Sequence, residues 1–237
     1  MYPVANPNRA GGRESTRISS LGIARAMPSS HGAFSITCAR ACVLCLCMLV
    51  AACGDDPPAL PKLAPDAVIL AFGDSLTRGT GARDDQSYPA VLEARTGRRV
   101  INAGVPGEES DAGLRRLPNL LDRFHPDLLV ICHGGNDILR KRDATGTEEN
   151  LREMIRLARE RNIPVVLVAV PDIGLFLSPS DIYASVAADM GVPVEDAILA
   201  DILGDNRLKS DHVHPNAAGY ARMAEAVQAL LAEHGAL

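Results

Sequence analysis

Two short stretches of this chain carry residue types that can do nucleophilic chemistry together. Gly73-Asp74-Ser75-Leu76-Thr77 follows the first strand-like run, and Asp211-His212-Val213-His214 lies near the C-terminal end. Between them they supply a serine, a histidine and a carboxylate, the three groups of nucleophilic acyl transfer. A serine hydroxyl is a poor nucleophile at neutral pH, so a base must take its proton and a third group must orient that base. An imidazole titrates near neutrality and can both accept that proton and return it. The three-residue gap from Asp211 to His214 lets one short loop present both side chains to one serine. Neither stretch alone is specific; the pair, in this order and with two further motifs between them, points to ester hydrolysis.

Other polar residues nearby have simpler uses. Asp74 is expected to hydrogen-bond the serine loop rather than act as an acid. His212 and His214 could bind a metal with Asp211 and His133, yet no further ligand is spaced near them, and neither metal nor other cofactor is expected. His133 and His212 read as structural or rim residues, Asp172 as a loop cap, and Cys132 as a small buried residue.

The elements that must position these groups alternate. Residues 68–72, 100–103, 128–132 and 165–170 are short apolar runs rich in β-branched residues, which predicts buried strands. Helical patterns lie near 87–96, 110–123 and 147–161, the last with Thr147 as its N-cap. A shorter helix near 181–190 precedes an edge strand at 192–194, and Pro215 opens a final helix over 215–233. Strands and helices in alternation predict an α/β fold: a mostly parallel sheet, covered on both faces, with ligands at the carboxyl ends of its strands. Ser75, Gly107 and Asn136 follow the first, second and third strands at that end.

The first 52 residues are a leader rather than part of this domain. They hold Arg9, Arg13, Arg17, Arg25 and Arg40 with one acid, then an unbroken apolar run over 41–52. Twelve residues are too few to span a membrane, since a helix needs about 20 to cross a ~30 Å core. A basic flank, a short apolar run and small residues describe a secretory signal, with Met27 as an alternative start. Val50-Ala51-Ala52-Cys53 resembles a bacterial lipobox, with Cys53 as the lipidated first residue of a membrane-anchored periplasmic protein, more readily in the outer than the inner membrane. The proline-rich stretch over 53–65 would be a tether, and 66–237 the domain. Beyond the leader 19 basic and 28 acidic residues remain, a net charge of −9, with no basic cluster to favour nucleic acid. Cys53 and Cys132 are the cysteines left, too few for a disulfide framework. This length supports one domain, and the chain is expected to be a monomer.

Four blocks occur in order: Gly73-Asp74-Ser75-Leu76-Thr77; Asn102-Ala103-Gly104-Val105-Pro106-Gly107-Glu108; Gly134-Gly135-Asn136-Asp137; and Asp211-His212-Val213-His214-Pro215. With them the chain resembles the SGNH hydrolases, also called GDSL esterases or lipases, from about residue 68 to 235. Within that family it is most similar to the bacterial periplasmic thioesterase, lysophospholipase and arylesterase group. A larger α/β-hydrolase is disfavoured, because Leu76 and Thr77 follow Ser75 where a G-x-S-x-G elbow has its second glycine. The resemblance implies a three-layer α/β/α fold around a five-stranded sheet, flavodoxin-like in plan. It implies Ser75 as nucleophile, His214 as general base and Asp211 as its orienting partner. The backbone N–H groups of Ser75 and Gly107 and the amide of Asn136 would hold the oxyanion. Gly104 is the rival to Gly107. Asn136 offers an uncharged donor that could wait unpaired at small desolvation cost.

Substrate is less directly written. Leu175, Phe176 and Leu177 form an apolar cluster in a loop that could line an acyl groove. The chain has no Trp, and six Phe or Tyr remain after the leader, which argues against a sugar platform. The expectation is a hydrolase of small-molecule or lipid esters and thioesters, such as lysophospholipids, acyl or aryl esters. The alternatives are a carbohydrate O-acetylesterase acting on glycans, and a non-catalytic periplasmic lipoprotein that keeps the fold.

Overall fold

The structure, a computed structural model, describes residues 58–173 and 177–237, so Cys53, Leu175 and Phe176 lie outside it. Five strands form one parallel sheet in the order β2-β1-β3-β4-β7. They are β1 (Val68–Gly73), β2 (Arg99–Gly104), β3 (Leu128–Cys132), β4 (Val165–Val168) and β7 (Val194–Glu195). β3 and β4 are buried along their whole length and β1 after its first residue, as a sheet covered on both faces requires.

The connections follow from handedness. A parallel crossover is right-handed, so the chain covers opposite faces when it moves outward in opposite directions. The β1-to-β2 crossing carries α1 (Ser75–Arg78) and α2 (Tyr88–Thr96); the β2-to-β3 crossing carries α3 (Ser110–Phe124). Between β3 and β4 lie α4 (Gly135–Leu139) and α5 (Ala144–Arg159). After α6 (Asp181–Met190) and β7, α7 (Ile198–Gly204) leads to α8 (Ala217–Glu233). One layer is therefore α3, α5 and α6; the other joins α2 to α8, with α7 beside it. The crevice falls outside the carboxyl ends of β1 and β3, where the crossings diverge.

Local chemistry moves several predicted boundaries. Thr147 is not the cap of α5: Asp143 is, its Oδ2 accepting Gly146 N–H at 3.2 Å, while Thr147 lies buried inside the helix. Pro215 does not open α8, because an antiparallel bridge to Lys209 holds it extended. Asn216 caps that helix, its Oδ1 accepting the N–H groups of Ala218 and Gly219 at 3.0 and 3.1 Å. β4 stops at Val168, and Pro171 begins a hairpin of β5 (Pro171–Ile173) with β6 (Leu177–Pro179). The last sheet strand is Val194–Glu195, while Pro193 only accepts, from Leu167 N–H at 2.9 Å.

Residues 58–65, expected as part of a tether, pack on the domain instead. Leu60 and Leu63 donate backbone hydrogen bonds of 2.8 and 2.9 Å to the carbonyls of His234 and Ala236, and Leu63 is buried in the core. An apolar side chain that can reach a core does so, and residues 58–65 join the domain. Among the described residues, no helix is long and apolar enough to cross a membrane.

Candidate active site

Ser75 is the first residue of α1, a single turn that β1 delivers into the crevice. Asp74 caps the turn, its Oδ1 accepting Leu76 N–H at 3.0 Å. The Ser75 N–H, at a helix start, is one of the donors that helix geometry leaves without an intrahelical partner. Asp74 is buried, and burial pushes its carboxyl up against the opposing pull of His133 and the Leu76 N–H. It has the scaffold place expected of it.

His214 Nε2 lies 3.0 Å from Ser75 Oγ, and His214 Nδ1 lies 2.8 Å from Asp211 Oδ2. A carboxylate only accepts, so the proton sits on Nδ1 and the Nε2 lone pair faces the serine hydroxyl. Asp211 holds its own loop as well, since Oδ1 accepts the N–H groups of Val213 and His214 at 2.8 and 2.9 Å. Partial burial works to raise the Asp211 carboxyl, but the His214 ring and these two N–H groups outweigh it and hold it below its usual value. His212 is exposed beside them.

The two rival glycines separate cleanly. A Cβ on Gly104 would run into the backbone of Arg78 and Asp74, so this glycine lets α1 lie against β2. Its N–H already bonds Asn102 Oδ1 at 3.0 Å. Gly107 lines the cleft at φ +77°, with its carbonyl bonded by Arg140 Nη1 at 3.1 Å. Among the described residues its N–H has no acceptor.

Asn136 lines the same cleft, but its amide is not unpaired. Nδ2 donates to Asp74 Oδ2 at 3.1 Å and to the Glu108 carbonyl at 3.0 Å. Both protons are engaged, so any acceptor entering the cleft at this amide has to share or displace one of those bonds.

Behind these loops lies a network that sequence reading missed. The Glu108 carboxylate faces Arg116, with Nε 2.8 Å from both of its oxygens, and the buried His133, with Nε2 at 3.1 Å. Partial burial would raise Glu108, yet His133 and Arg116 bring it down to about 2. Arg116 Nη2 also bonds the carbonyls of Gly73 and Ala103, at 3.1 and 2.9 Å. Glu108 ends the second of the four sequence blocks, but nothing in the pattern of α3 distinguishes Arg116 from its neighbour Arg115.

The cleft has a volume of about 230 Å³, and Leu76, Leu139, Val170, Leu203 and Val213 supply its apolar wall. Leu177 is not on that wall: it pairs with Ile173 in the β5–β6 hairpin, beside α7. Among the described residues no group of three or more His, Cys, Asp and Glu is arranged to hold a metal ion. Cys132 is wholly buried, and burial raises its thiol well above the usual value.

The chain is 32% identical over 179 residues to Esterase TesA of Pseudomonas aeruginosa, covering 71% of this chain and 89% of that protein. It is 30% identical over 163 residues to thioesterase 1/protease 1/lysophospholipase L1 of Escherichia coli, covering 65% and 78%. The crystal structure of a TesA superposes with a TM-score of 0.65 at 31% identity, covering 70% of this chain and 99% of that one. The GDSL-like Lipase/Acylhydrolase family matches residues 71–222, from within β1 into α8, and the chain belongs to that family.

Proposed function

We propose that the chain cleaves carboxylic esters and thioesters through an acyl-enzyme at Ser75. The observation that carries this is the unbroken line from Asp211 through His214 to Ser75, with contacts of 2.8 and 3.0 Å, opening on an apolar cleft. Ser75 Oγ attacks the carbonyl carbon while His214 Nε2 takes its proton. The carbonyl oxygen becomes an oxyanion that faces the N–H groups of Ser75 and Gly107 and the Asn136 amide. Collapse breaks the bond to the leaving oxygen or sulfur, which receives the proton from His214, and the acyl group stays on Oγ. Water, activated by the same imidazole, then attacks that acyl group and releases the acid with the Ser75 hydroxyl restored. Asp211 keeps the ring in the needed tautomer and stabilises the imidazolium between steps.

Acyl and aryl esters, thioesters and lysophospholipids are the favoured substrates. An aliphatic wall suits an acyl chain or aryl ring, and no aromatic platform for a sugar lines the cleft among the described residues. The names of the relatives, an esterase and a thioesterase/lysophospholipase, point the same way. A non-catalytic role leaves the aligned serine, imidazole and carboxylate without a purpose. A panel of p-nitrophenyl esters from acetyl to palmitoyl, read with wild type and Ser75→Ala, tests the reading. Wild type should accept a range of chain lengths, and Ser75→Ala should lose several decades of turnover. Hydrolysis of acetyl alone would favour the glycan reading, and an equally active Ser75→Ala would end the acyl-enzyme proposal.

The proposed location is the periplasmic side of a bacterial membrane, reached by secretion and held by lipid on Cys53. The basic flank, the apolar run and Val50-Ala51-Ala52-Cys53 support it. Stable anchoring takes two or more acyl chains, as lipidation of such a cysteine supplies. Full-length protein should pellet with membranes in a Gram-negative host while Cys53→Ser does not. Equal solubility of the two would refute the anchor and leave the chemistry standing.

A further inference from the structure

We propose that Arg116, Glu108 and His133 are positioning residues that hold the Asn136 amide in register with the other two oxyanion donors. The proposal rests on the reading that Ser75, Gly107 and Asn136 supply those donors. Each donor follows a different strand, so their mutual geometry depends on how three strand ends are tied, and one ionic network touches all three. Arg116 Nη2 bonds the carbonyl of Gly73, two residues before Ser75, and the carbonyl of Ala103, four before Gly107. The same guanidinium grips the carboxylate of Glu108, the neighbour of Gly107, with Nη2 2.6 Å from Oε2. The carbonyl of Glu108 in turn receives the Asn136 amide at 3.0 Å.

His133 closes the circuit from the third strand. Its Nδ1 accepts the Gly134 N–H at 2.9 Å, two residues before Asn136, which leaves the Nε2 proton to donate to Glu108 Oε2 at 3.1 Å. The ring is wedged: Phe72 lies 5.5 Å away, the Arg116 guanidinium covers that phenyl ring at 4.2 Å, and Gly113 of α3 leaves the space for Nε2. His133 has no freedom to turn, and Glu108 is aimed by two donors from different elements.

Stability alone is a poor reason to put these charges here. Desolvating a buried ion pair offsets much of its attraction, and apolar replacements of similar volume are often no less stable. Geometry is a better reason, because the Asn136 amide already bonds Glu108 and Asp74. Whether it can turn one proton toward a forming oxyanion depends on where the Glu108 carbonyl sits. A misplacement of about 1 Å at such a site can lower a rate roughly 100-fold.

A double-mutant cycle on p-nitrophenyl butyrate hydrolysis tests this, using Arg116→Met, Asn136→Ala and both together, with urea midpoints measured alongside. Arg116→Met should lower kcat roughly 10- to 100-fold with KM little changed. In the Asn136→Ala background the same change should cost at most a few-fold, because the donor it positions has gone. If the two effects multiply while Asn136→Ala by itself lowers kcat, the network does not act through Asn136 and the proposal is overturned. If Asn136→Ala leaves kcat unchanged, the oxyanion reading beneath it fails instead. Should Arg116→Met not fold, Glu108→Gln takes its place in the cycle, since it keeps size and an acceptor for His133 while weakening the grip of Arg116. A smaller fall in kcat with the same loss of effect beside Asn136→Ala is expected, and multiplicative effects would again overturn the proposal.

Discussion

The loop that carries Asp211 and His214 is held by its own neighbours, whereas the loops facing it are held by residues distant in sequence. On the base side, Asp211 bonds backbone two and three residues ahead, Ser210 N–H bonds the His214 carbonyl at 2.9 Å, and Lys209 bridges Pro215. On the oxyanion side, Arg116 reaches back 43 residues to Gly73, and Asn136 reaches back 62 to Asp74. The base side is solvent-facing, with the Asp211 side chain half exposed, while His133 opposite is wholly buried. A base must meet a proton and exchange it, which local hydrogen bonds in an accessible loop allow. An oxyanion hole must not reorganise as charge appears, and distant buried partners supply that rigidity.

Breaking the base side should give the largest loss with the least structural damage. His214→Ala is expected to lower kcat by about 10⁴-fold or more, as removal of a triad base does. Its urea midpoint should stay close to wild type, because among the described residues the ring hydrogen-bonds only Ser75 and Asp211. A large shift in midpoint would mean that the loop is structurally coupled after all.

Asn136→Ala comes next, at ~10²–10³ in kcat with a smaller change in KM, as expected of a bond that strengthens in the transition state. Here stability should fall too, by about 1–3 kcal/mol, because Asp74 Oδ2 loses its donor in a buried place. An effect on KM alone would make Asn136 a substrate-binding residue.

Gly107→Ala sharpens the contrast between the glycines. Its new Cβ meets only the Arg140 guanidinium, at an ordinary contact distance of 4.0 Å, so the cost is the positive φ, about 1–2 kcal/mol. Gly104→Ala meets backbone and should not yield a stable fold. If the two variants were equally stable, the assignment of Gly104 to packing would fall.

The smallest effect is on acid stability. Glu108 is held down to about 2 from an ordinary 4.5, so its ionised form favours the folded state. That contribution is complete above pH 4.5 and fades as the pH falls toward about 2. The stability gap between wild type and Glu108→Gln should therefore narrow across that window, and a gap that stays constant would contradict the account.

What was legible in the sequence follows the same divide. Ser75, Gly107 and Asn136 sit one short step past strand ends, and Asp211 and His214 share a loop, so proximity in sequence stood for proximity in space. The buried runs of β1 and β3 announced the sheet. Arg116 was invisible because its partners lie across two strands, and the engaged state of the Asn136 amide depends on a carbonyl whose position only folding sets. Two helix starts were misplaced: Asp143, not Thr147, caps α5, and Asn216 caps a helix that Pro215 was expected to open. Leu177 was assigned to the cleft on apolarity alone, which does not say which side of a hairpin meets the substrate.

The most direct measurement traps the covalent intermediate. Wild type and Ser75→Ala would be mixed with a p-nitrophenyl alkylphosphonate, which leaves a stable adduct on an activated nucleophile, and the digests would be read by tandem mass spectrometry. One adduct per chain is expected, on the Ser75 hydroxyl, abolished in Ser75→Ala and slowed by His214→Ala. An adduct on any other residue, or unchanged labelling of Ser75→Ala, would contradict the acyl-enzyme at Ser75.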